Sequence, residues 1–282
     1  MIIWAHSRGE FSALTAALSK YSGSIEETIR RHDVLPAYCR ACDKVTNMRV
    51  TLGEPPDHWR NLLEGMVCNC GLNGRARLIL SVLDILLLRK PVNTALILER
   101  LTALYPHVAA RIPGLTGTEW LGDALPPGSM ARLGGILVRS ENMMALTFPS
   151  ESLDLVMHFD ILEHISDWRA GLRECERVLR PGAHLLFTSP FYDALDRNII
   201  RAEVRDGQVH HLLPPAYHAN PVSSEGSLVF IHPSWEVYDY LRSLHFKRVD
   251  LALCYDPLQG IVSNGCPYPD GHMYPVVFVA CK

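Results

Sequence analysis

The sequence predicts an α/β protein with a mostly parallel sheet and helices on both faces of that sheet. After Pro91, short apolar runs alternate with helical segments. Strands separated by helices pair in parallel, because each helix returns the chain to the same end of the sheet. No helical segment separates the last two apolar runs, which predicts an antiparallel hairpin at the end of the sheet.

Each predicted strand is a short apolar run or a run in which apolar and polar residues alternate. The predicted strands comprise residues 94–98, 115–119, 135–138, 152–159, 183–189, 247–254 and 273–280. Apolar residues at helical spacing, together with capping residues, predict the helices. These comprise residues 10–20, a segment from Ile25 with Ser24 as its cap, and residues 59–63, 73–89, 103–112, 168–179 and 234–244.

Changes in composition divide the chain into three parts. Residues 1–35 are predicted to form a helical arm or lid, and residues 36–72 a small cysteine-rich module that resembles a zinc ribbon. Residues 73–282 are predicted to form the α/β domain. A long polar insertion at about 190–233 follows the fifth predicted strand and is expected to fold over the pocket.

Charge and hydropathy limit the possible partners. The 282 residues include 27 Lys and Arg and 30 Asp and Glu, which gives a net charge of −3. No segment carries a run of five like charges, so neither nucleic acid nor an acidic membrane is an expected partner, and a small-molecule substrate is favoured. The N-terminus has no basic region, and the longest apolar run, residues 78–88, is too short to cross a bilayer. We therefore expect a cytoplasmic protein of undetermined oligomeric state.

Four of the eight cysteines lie close together in sequence and predict a structural zinc site. The pairs are Cys39 with Cys42 and Cys68 with Cys70. Zinc takes four thiolate ligands in a tetrahedron, and the spacing between the two pairs suits a ribbon or knuckle. Two alternatives remain open: that the thiols pack in a small core without metal, or that His32 or His58 replaces one sulfur.

Three motifs in the middle of the chain resemble those of class I S-adenosylmethionine-dependent methyltransferases. They are Asp-Leu-Val at 154–156, Leu-Glu-His at 162–164 and Leu-Arg-Pro-Gly at 179–182. The resemblance implies a Rossmann-like, seven-stranded sheet and S-adenosylmethionine as cofactor. The motifs at 70–75, 118–122 and 211–218 resemble more narrowly a bacterial branch of these enzymes with an N-terminal cysteine-rich module.

The family's glycine-rich turn after the first strand is absent, since no glycine lies between Gly74 and Gly114. Glycines in that turn let the backbone approach the methionine end of the cofactor. Here Glu99 holds the acidic position at the end of the strand, and Thr102 is expected to cap the next helix. Arg75 or Arg77 is the candidate partner for the cofactor carboxylate.

The other positions that bind the cofactor in the family carry suitable residues. The resemblance implies that Glu119 binds the ribose hydroxyls and that Trp120 stacks on the adenine. Asn142 and Met143 correspond to the turn that contacts the adenine, and Phe159 and Asp160 would line the cavity near the sulfonium. The alternative is that Glu119 only caps a loop and that Asn142 only turns the chain.

Methyl transfer needs mainly positioning, plus a base when the acceptor carries a proton. The candidate catalytic residues are His164, after the fourth strand, and three residues of the insertion: His211, Tyr217 and His218. The alternative is that Asp160, Glu163 and His164 cap a helix or together hold a divalent ion.

Three functions are consistent with these residues. The leading hypothesis is methyl transfer to a small-molecule acceptor by in-line displacement. The second keeps the cofactor but has its own amine attack, which is an intramolecular cyclisation that releases methylthioadenosine, as in enzymes that make azetidine-2-carboxylate. The third is a zinc-stapled interaction module on a scaffold that no longer binds the cofactor.

Overall fold

The computed structural model describes residues 1–51, 61–220, 222–268 and 271–282. His58 and the first two residues of the helix predicted at 59–63, Trp59 and Arg60, lie outside these residues. The α-helices are α1 (Arg8–Arg30), α2 (Leu62–Gly65), α3 (Gly74–Arg89), α4 (Tyr105–Ala109), α5 (Trp168–Val178) and α6 (Trp235–Ser243). Two short 3-10 helices comprise Leu162–His164 and Pro257–Gln259.

The strands are short, as the brief apolar runs predict. In chain order they are β1 (Ile3–Ala5), β2 (Val34–Cys39), β3 (Lys44–Val50), β4 (Met66–Val67), β5 (Ala95–Ile97), β6 (Leu115–Glu119), β7 (Met130–Leu133), β8 (Ile136–Ser140), β9 (Leu153–Phe159), β10 (Leu179–Thr188), β11 (Ile199–Ile200), β12 (Ala202–Arg205), β13 (Gln208–His211), β14 (Tyr217–Asn220), β15 (Ser223–Leu228), β16 (Ile231–His232), β17 (Arg248–Leu253) and β18 (Val276–Cys281).

The chain forms two compact units. The first comprises Met1–Pro91, Tyr192–Ala194 and Asp250–Phe278, and the second comprises Val92–Phe191, Leu195–Val249 and Val279–Lys282. Within the described part of the chain, no helix has the length and apolar character that crossing a membrane requires.

The second unit contains the predicted parallel sheet. Its strands lie in the order β10, β9, β5, β6, β8, β7, and every neighbouring pair is parallel except β7 with β8. Leu96 in β5 is opposite Val156 on one side and Thr116 on the other. All of β5 is buried, as expected for a strand with neighbours on both edges and helices over both faces. The predicted α/β fold class is confirmed.

The C-terminal strands form the predicted antiparallel hairpin. In the second unit the Lys282 N–H donates to the carbonyl of Ala183 in β10, and the Lys247 N–H donates to the Cys281 carbonyl. In the first unit the Cys254 N–H donates to the Pro275 carbonyl. The two ends of β17 therefore pair with opposite ends of β18, which makes the strands antiparallel.

Helix α1 of the first unit is continuous where the sequence predicts two helices. Ser7 caps its start by accepting a hydrogen bond from the Glu10 N–H. Ser24 does not cap a second helix, because its hydroxyl donates to the Tyr21 carbonyl inside α1. A serine whose hydroxyl bonds to the preceding turn is tolerated within a helix, so the predicted break is wrong.

A three-stranded antiparallel sheet, β2–β3–β4, forms a second core in the first unit. Its buried residues are Ala37, Cys39, Met48 and Cys68. Helix α3 follows with Asn73 as its N-cap, whose side chain accepts from the Ala76 N–H at 2.8 Å. Cys42 and Cys70 are partly buried and pack against this cluster, so all four predicted zinc ligands belong to a module with its own buried interior.

The insertion of the second unit is built from strand pairs rather than from a loop. Strands β11 and β16, β12 and β13, and β14 and β15 pair antiparallel. The pairing satisfies backbone groups that a polar loop would leave to water, and the sequence prediction missed it because these strands are mostly exposed and lack apolar alternation.

The segment after β5 packs against a glycine in the neighbouring strand. The Arg100 guanidinium lies 4.0 Å from the centre of the Tyr105 ring, in a cation–π contact. A Cβ atom on Gly117 of β6 would lie 2.2 Å from Cε2 of Tyr105 and 2.7 Å from Cδ of Arg100. The bulky segment thus depends on the missing side chain at Gly117.

We predict that Gly117→Ala destabilises the protein by about 1–3 kcal/mol, because the added methyl group overpacks the Tyr105 ring. Urea denaturation followed by circular dichroism measures this change. The matched control is Gly23→Ala in α1, where a Cβ atom meets nothing within 4 Å. That variant is expected to gain about 0.5–1 kcal/mol from helix propensity. Equal stability of Gly117→Ala and wild type would contradict the packing described here.

Candidate functional site

The candidate site lies at the carboxyl edge of the parallel sheet in the second unit. Strands β5, β6, β8, β9 and β10 run in the same direction, so the residues that follow them meet at one edge. The Glu141 N–H donates to the Glu119 carbonyl, and the Asp160 N–H donates to the Thr188 carbonyl. These bonds join the ends of β6 and β8 and the ends of β9 and β10.

Glu119, at the end of β6, holds the segment that replaces the glycine-rich turn. Its Oε1 accepts a hydrogen bond of 2.8 Å from the Leu101 N–H. Burial raises the pKa of Glu119, although hydrogen bonds from the Leu101 and Arg100 amides oppose the shift. Glu99 is also buried. Two carboxyl groups therefore lie at this segment. The hydrogen bond from Leu101 also shows that Glu119 caps the loop, which is the alternative that the sequence left open.

Thr102 lies in the same segment and does not start the following helix. Leu104 is the N-cap residue of α4 and makes no side-chain capping bond, so the predicted cap at Thr102 is wrong. The Thr102 hydroxyl is buried and has no hydrogen-bond partner among the described residues. A buried hydroxyl without a partner costs free energy, and a polar ligand group at this place would satisfy it.

The turn after β8 carries the residues predicted to contact adenine. Asn142 Oδ1 accepts from the Met144 N–H at 2.9 Å, so this side chain does turn the chain. Met143 is buried and packs near Gly171 of α5. Trp120, after β6, is 41% exposed, which leaves its ring accessible to a stacking partner.

The ends of β9 and β10 are tied by a side-chain hydrogen bond. Phe159 is buried, and Asp160 follows it with a φ of +52°, in the left-handed region. The Thr188 hydroxyl donates to Asp160 Oδ1 at 2.8 Å. Non-glycine residues rarely adopt this conformation, and those that do are concentrated at functional sites.

Arg75 and Arg77, the candidates for binding the cofactor carboxylate, have partners inside the first unit. Arg75 Nε donates to Glu64 Oε1 at 2.8 Å. The Arg77 side chain is fully buried and donates to four backbone carbonyls, those of Leu72, Met66, Gln259 and Gly260.

The structure brings together two of the candidate catalytic residues, His164 and His218, around Glu163. Glu163 Oε1 is 3.7 Å from His164 Nε2 and 3.6 Å from His218 Nδ1. The two imidazole rings meet edge to face with centroids 4.9 Å apart. Asp160 is not part of this group of potential metal ligands. The sequence predicted a divalent-ion set of Asp160, Glu163 and His164 as one alternative, and the structure supplies His218 in place of Asp160.

His211 and Tyr217 are placed differently. His211 is exposed at the end of β13, opposite Ala202 of β12. Tyr217 is 56% exposed and opposite Leu228 in the β14–β15 pair. Neither belongs to the Glu163 group.

Burial and charge set the protonation of the Glu163 group. Burial alone raises the pKa of Glu163, but the nearby His218 and His164 side chains outweigh this effect, and the pKa is lowered. Burial lowers the pKa of His164, although the Glu163 charge opposes the shift. The group therefore combines a carboxylate with a histidine that favours its neutral form.

The four predicted cysteines converge in the first unit. The Sγ atoms of Cys39 and Cys70 are 3.7 Å apart, and those of Cys42 and Cys68 are 3.8 Å apart. Burial raises the pKa of Cys68 by itself, but hydrogen bonds from the Cys70 amide and the Thr46 hydroxyl outweigh it and lower the pKa to about 6. A thiolate, which is the metal-binding form, is therefore stabilised at one corner of the cluster.

Comparisons with known proteins agree with this architecture. A family model described as a methyltransferase domain matches residues 126–187. A probable S-adenosylmethionine-dependent methyltransferase of Mycolicibacterium smegmatis is 36% identical over 87 residues, which cover 31% of this chain and 32% of that protein. Residues 126–187 therefore match a methyltransferase domain, which agrees with the resemblance to class I S-adenosylmethionine-dependent methyltransferases.

Two other similar proteins are also named as methyltransferases. The ubiquinone biosynthesis O-methyltransferase of Coxiella burnetii is 26% identical over 165 residues, 56% of this chain and 63% of that protein. The crystal structure of an S-adenosylmethionine-dependent methyltransferase from Mesorhizobium loti is 16% identical, with a TM-score of 0.42, and covers 71% of this chain and 96% of that chain. The matched segment spans about a third of the length of the mycobacterial relative.

The residues present fit the cofactor of this methyltransferase family. The unpartnered Thr102 hydroxyl and the buried Glu119 carboxyl lie in or beside the segment after β5. A carboxylate can accept further hydrogen bonds from ribose hydroxyls while it retains the Leu101 amide. Thr102 and Glu119 would therefore hold the polar parts of S-adenosylmethionine at this edge.

The sheet also contains a buried histidine, His158, next to the last residue of β9. Its ring is fully buried and stacks on Phe187 of β10, with centroids 4.7 Å apart. Neither ring nitrogen has a hydrogen-bond partner among the described residues. Burial lowers the pKa of His158 to about 3, so the imidazole is neutral in the folded protein.

We predict that His158 makes stability depend on pH. Its pKa in the unfolded chain is about 6.5, above the folded value, so protonation favours unfolding. The stability is fully present above about pH 6.5 and falls as the pH decreases toward 3, by up to about 1.4 kcal/mol per pH unit. Urea denaturation of wild type and His158→Phe between pH 7 and 5 measures this slope. A variant slope equal to that of wild type would refute the prediction.

Proposed function

We propose that the protein transfers the methyl group of S-adenosylmethionine to a small-molecule acceptor. The observation that carries the proposal is the convergence of Thr102, Glu119 and Asp160 at the carboxyl edge of a family-type parallel sheet. Ligands bind at this edge in open α/β sheets. The match of residues 126–187 to a methyltransferase domain supports the same reaction.

The bound cofactor supplies a methyl carbon that positive sulfur already activates. The protein has to orient this carbon toward the acceptor and exclude water. Phe159 and Asp160 follow β9, and the strand-pair insertion joins this region through the Phe230 N–H, which donates to the Glu163 carbonyl. The insertion therefore covers the end of β9, where a reacting acceptor would be held.

A proton that leaves the acceptor is handled by the Glu163 group. His164 and His218 are the candidate histidines that contact one carboxylate, whereas His211 and Tyr217 are remote from it. A histidine that favours its neutral form accepts a proton near neutral pH. The base therefore belongs to this cluster rather than to the exposed hairpin β12–β13.

The bulky segment after β5 is the observation that favours the second candidate function, intramolecular cyclisation. Arg100 and Tyr105 pack beside Gly117, in the segment where the resemblance implies a glycine-rich turn. A narrowed methionine end would favour a bent cofactor whose amine attacks its own chain. Methyl transfer yields S-adenosylhomocysteine, and cyclisation yields methylthioadenosine, so product analysis by liquid chromatography and mass spectrometry separates the two.

We predict that Glu119→Gln weakens S-adenosylmethionine binding by about 10–100-fold, because hydrogen bonds to a charged group contribute about 1.5–3 kcal/mol. Isothermal titration calorimetry measures the change. The matched control is Glu225→Gln, an exposed glutamate of β15, which is expected to bind like wild type. Absence of binding by the wild type at millimolar cofactor would overturn the enzymatic proposal and favour the interaction module.

We further propose that Cys39, Cys42, Cys68 and Cys70 hold a structural zinc ion. Zn–S bonds of about 2.3 Å in a tetrahedron place the sulfurs about 3.8 Å apart, and the two measured separations are 3.7 and 3.8 Å. The buried guanidinium of Arg77 supplies positive charge next to this cluster: burial lowers its pKa and the four thiolates oppose that shift.

We predict that the cobalt-substituted protein shows thiolate-to-cobalt charge-transfer absorption. The Cys68→Ser variant is expected to lose most of this absorption and to unfold more easily, because a structural metal contributes to folding free energy. Cys281→Ser, which changes a cysteine outside the cluster, serves as the control and should retain the spectrum. A wild type without a charge-transfer band would exclude the four-thiolate site.

A further inference from the structure

The Glu163 group has the composition and the spacing of a metal site that is separate from the cysteine cluster. It comprises Glu163, His164 and His218, and one possible ligand atom of each lies within 4.8 Å of the other two. Two imidazoles and one carboxylate form a ligand set that several divalent transition metals accept. The group lies in the second unit, whereas the four cysteines lie in the first.

The separations between the ligand atoms suit a tetrahedral ion. Zn–N and Zn–O bonds of about 2.0–2.1 Å place neighbouring ligand atoms about 3.3–3.4 Å apart. Glu163 Oε1 lies 3.7 Å from His164 Nε2 and 3.6 Å from His218 Nδ1. A contraction of a few tenths of an ångström therefore brings three ligands to bonding distance. The possible ligand nitrogens of the two imidazoles lie within 4.8 Å of each other.

Other hydrogen bonds orient two of the three ligands. His164 Nδ1 is 2.8 Å from the Leu228 carbonyl, which can only accept, so Nδ1 carries the hydrogen and a neutral ring has its lone pair on Nε2. Ser189 donates to Glu163 Oε2 at 2.9 Å and leaves Oε1 directed at the histidines. Outer hydrogen bonds of this kind are characteristic of histidine and carboxylate ligands in metal sites.

One buried atom in the group calls for a cation. Glu163 Oε1 is buried and accepts no hydrogen bond from the described residues. The Glu163 side chain is 1% exposed. A buried carboxylate oxygen is costly unless a positive charge or a donor compensates it. A bound divalent ion meets this requirement. It also accepts a nitrogen lone pair from each of the two imidazoles.

We infer that Glu163, His164 and His218 bind one divalent metal ion of the zinc class at the carboxyl edge of the sheet. With three protein ligands, a tetrahedral ion keeps one position open. The insertion provides His218, and the 3-10 helix after β9 provides Glu163 and His164. The site therefore forms only when the β14–β15 pair lies on the end of β9.

The open position suggests the acceptor class, a consequence that rests on the proposed methyl transfer. A hydroxyl group that occupies this position becomes more acidic, as water does on zinc. With both histidines bound to the ion, neither His164 nor His218 acts as the base: the acceptor oxygen loses its proton to solvent and attacks the methyl carbon. The new C–O bond forms as the C–S bond breaks, and S-adenosylhomocysteine leaves with the electron pair on sulfur. The acceptor class is thus a small molecule with an ionisable hydroxyl group.

Cobalt(II) titration of the full chain, followed by visible absorption spectroscopy, tests the metal site. We expect two ions per chain: one with thiolate charge transfer, and one with only the weaker d–d bands of a nitrogen and oxygen environment. His218→Ala is expected to lose the second ion, with affinity reduced at least tenfold, and to keep the first. His218 is 46% exposed, so this variant retains the fold. Glu163→Gln should behave in the same way.

The control is His245→Ala, which removes an exposed histidine of the same unit and should bind both ions. A wild type that binds only the thiolate-coordinated ion would overturn the proposal, as would a second ion that His218→Ala retains. Calorimetry with S-adenosylmethionine on the same samples separates the two proposals. Cofactor binding without the second ion refutes the metal site alone, and the second ion without cofactor binding refutes the methyl transfer alone.

Discussion

The parallel register of the sheet is the constraint on which the candidate site depends. Backbone pairing of β5, β6, β8, β9 and β10 in one direction brings residues that are far apart in sequence to one edge. Glu119 and Glu141 meet through a backbone hydrogen bond, and so do Asp160 and Thr188. None of these residues needs a long side chain to reach the edge, because the strand ends deliver them there.

The bulky segment after β5 requires space in the neighbouring strand β6. A glycine-rich turn lets a ligand approach the backbone, whereas this chain fills the same place with Arg100 and Tyr105. Their bulk is accommodated by the absent side chain at Gly117, and the segment is held by the buried carboxyl of Glu119. The segment after β5 is therefore bulkier than a glycine-rich turn, and its packing depends on Gly117 of β6.

Much of the sheet could be predicted from sequence because its signal is local. The apolar run of β5 and the alternation ending at Phe159 specify strands without reference to the rest of the chain. The Cys39–Cys42 and Cys68–Cys70 pairs likewise indicate one cluster, since ligand spacing is a local property. The continuous helix α1 was missed because Ser24 is equally suited to a cap and to a bond with the preceding turn.

Long-range contacts could not be predicted in the same way. His218 reaches Glu163 only through pairing of β14 with β15, and those exposed strands carry no periodic apolar pattern. The sequence favours Asp160 as a neighbour of Glu163 because both lie close together in the chain. In the fold Asp160 instead accepts from Thr188, a partner chosen by the adjacency of β9 and β10. Proximity along the chain and proximity in space differ here, and the proposed metal ligands are neighbours in space.

Arg77 shows how a charged residue that suggests ligand binding can serve the fold. Each of its three guanidinium nitrogens donates to backbone carbonyls, which belong to Leu72, Met66, Gln259 and Gly260. The guanidinium therefore joins backbone carbonyls from separate segments of the first unit. A side chain whose nitrogens are all engaged in this way is poorly suited to bind a cofactor carboxylate. Its charge is better matched to the thiolate cluster of the same unit, where a tetrathiolate zinc centre would carry net negative charge.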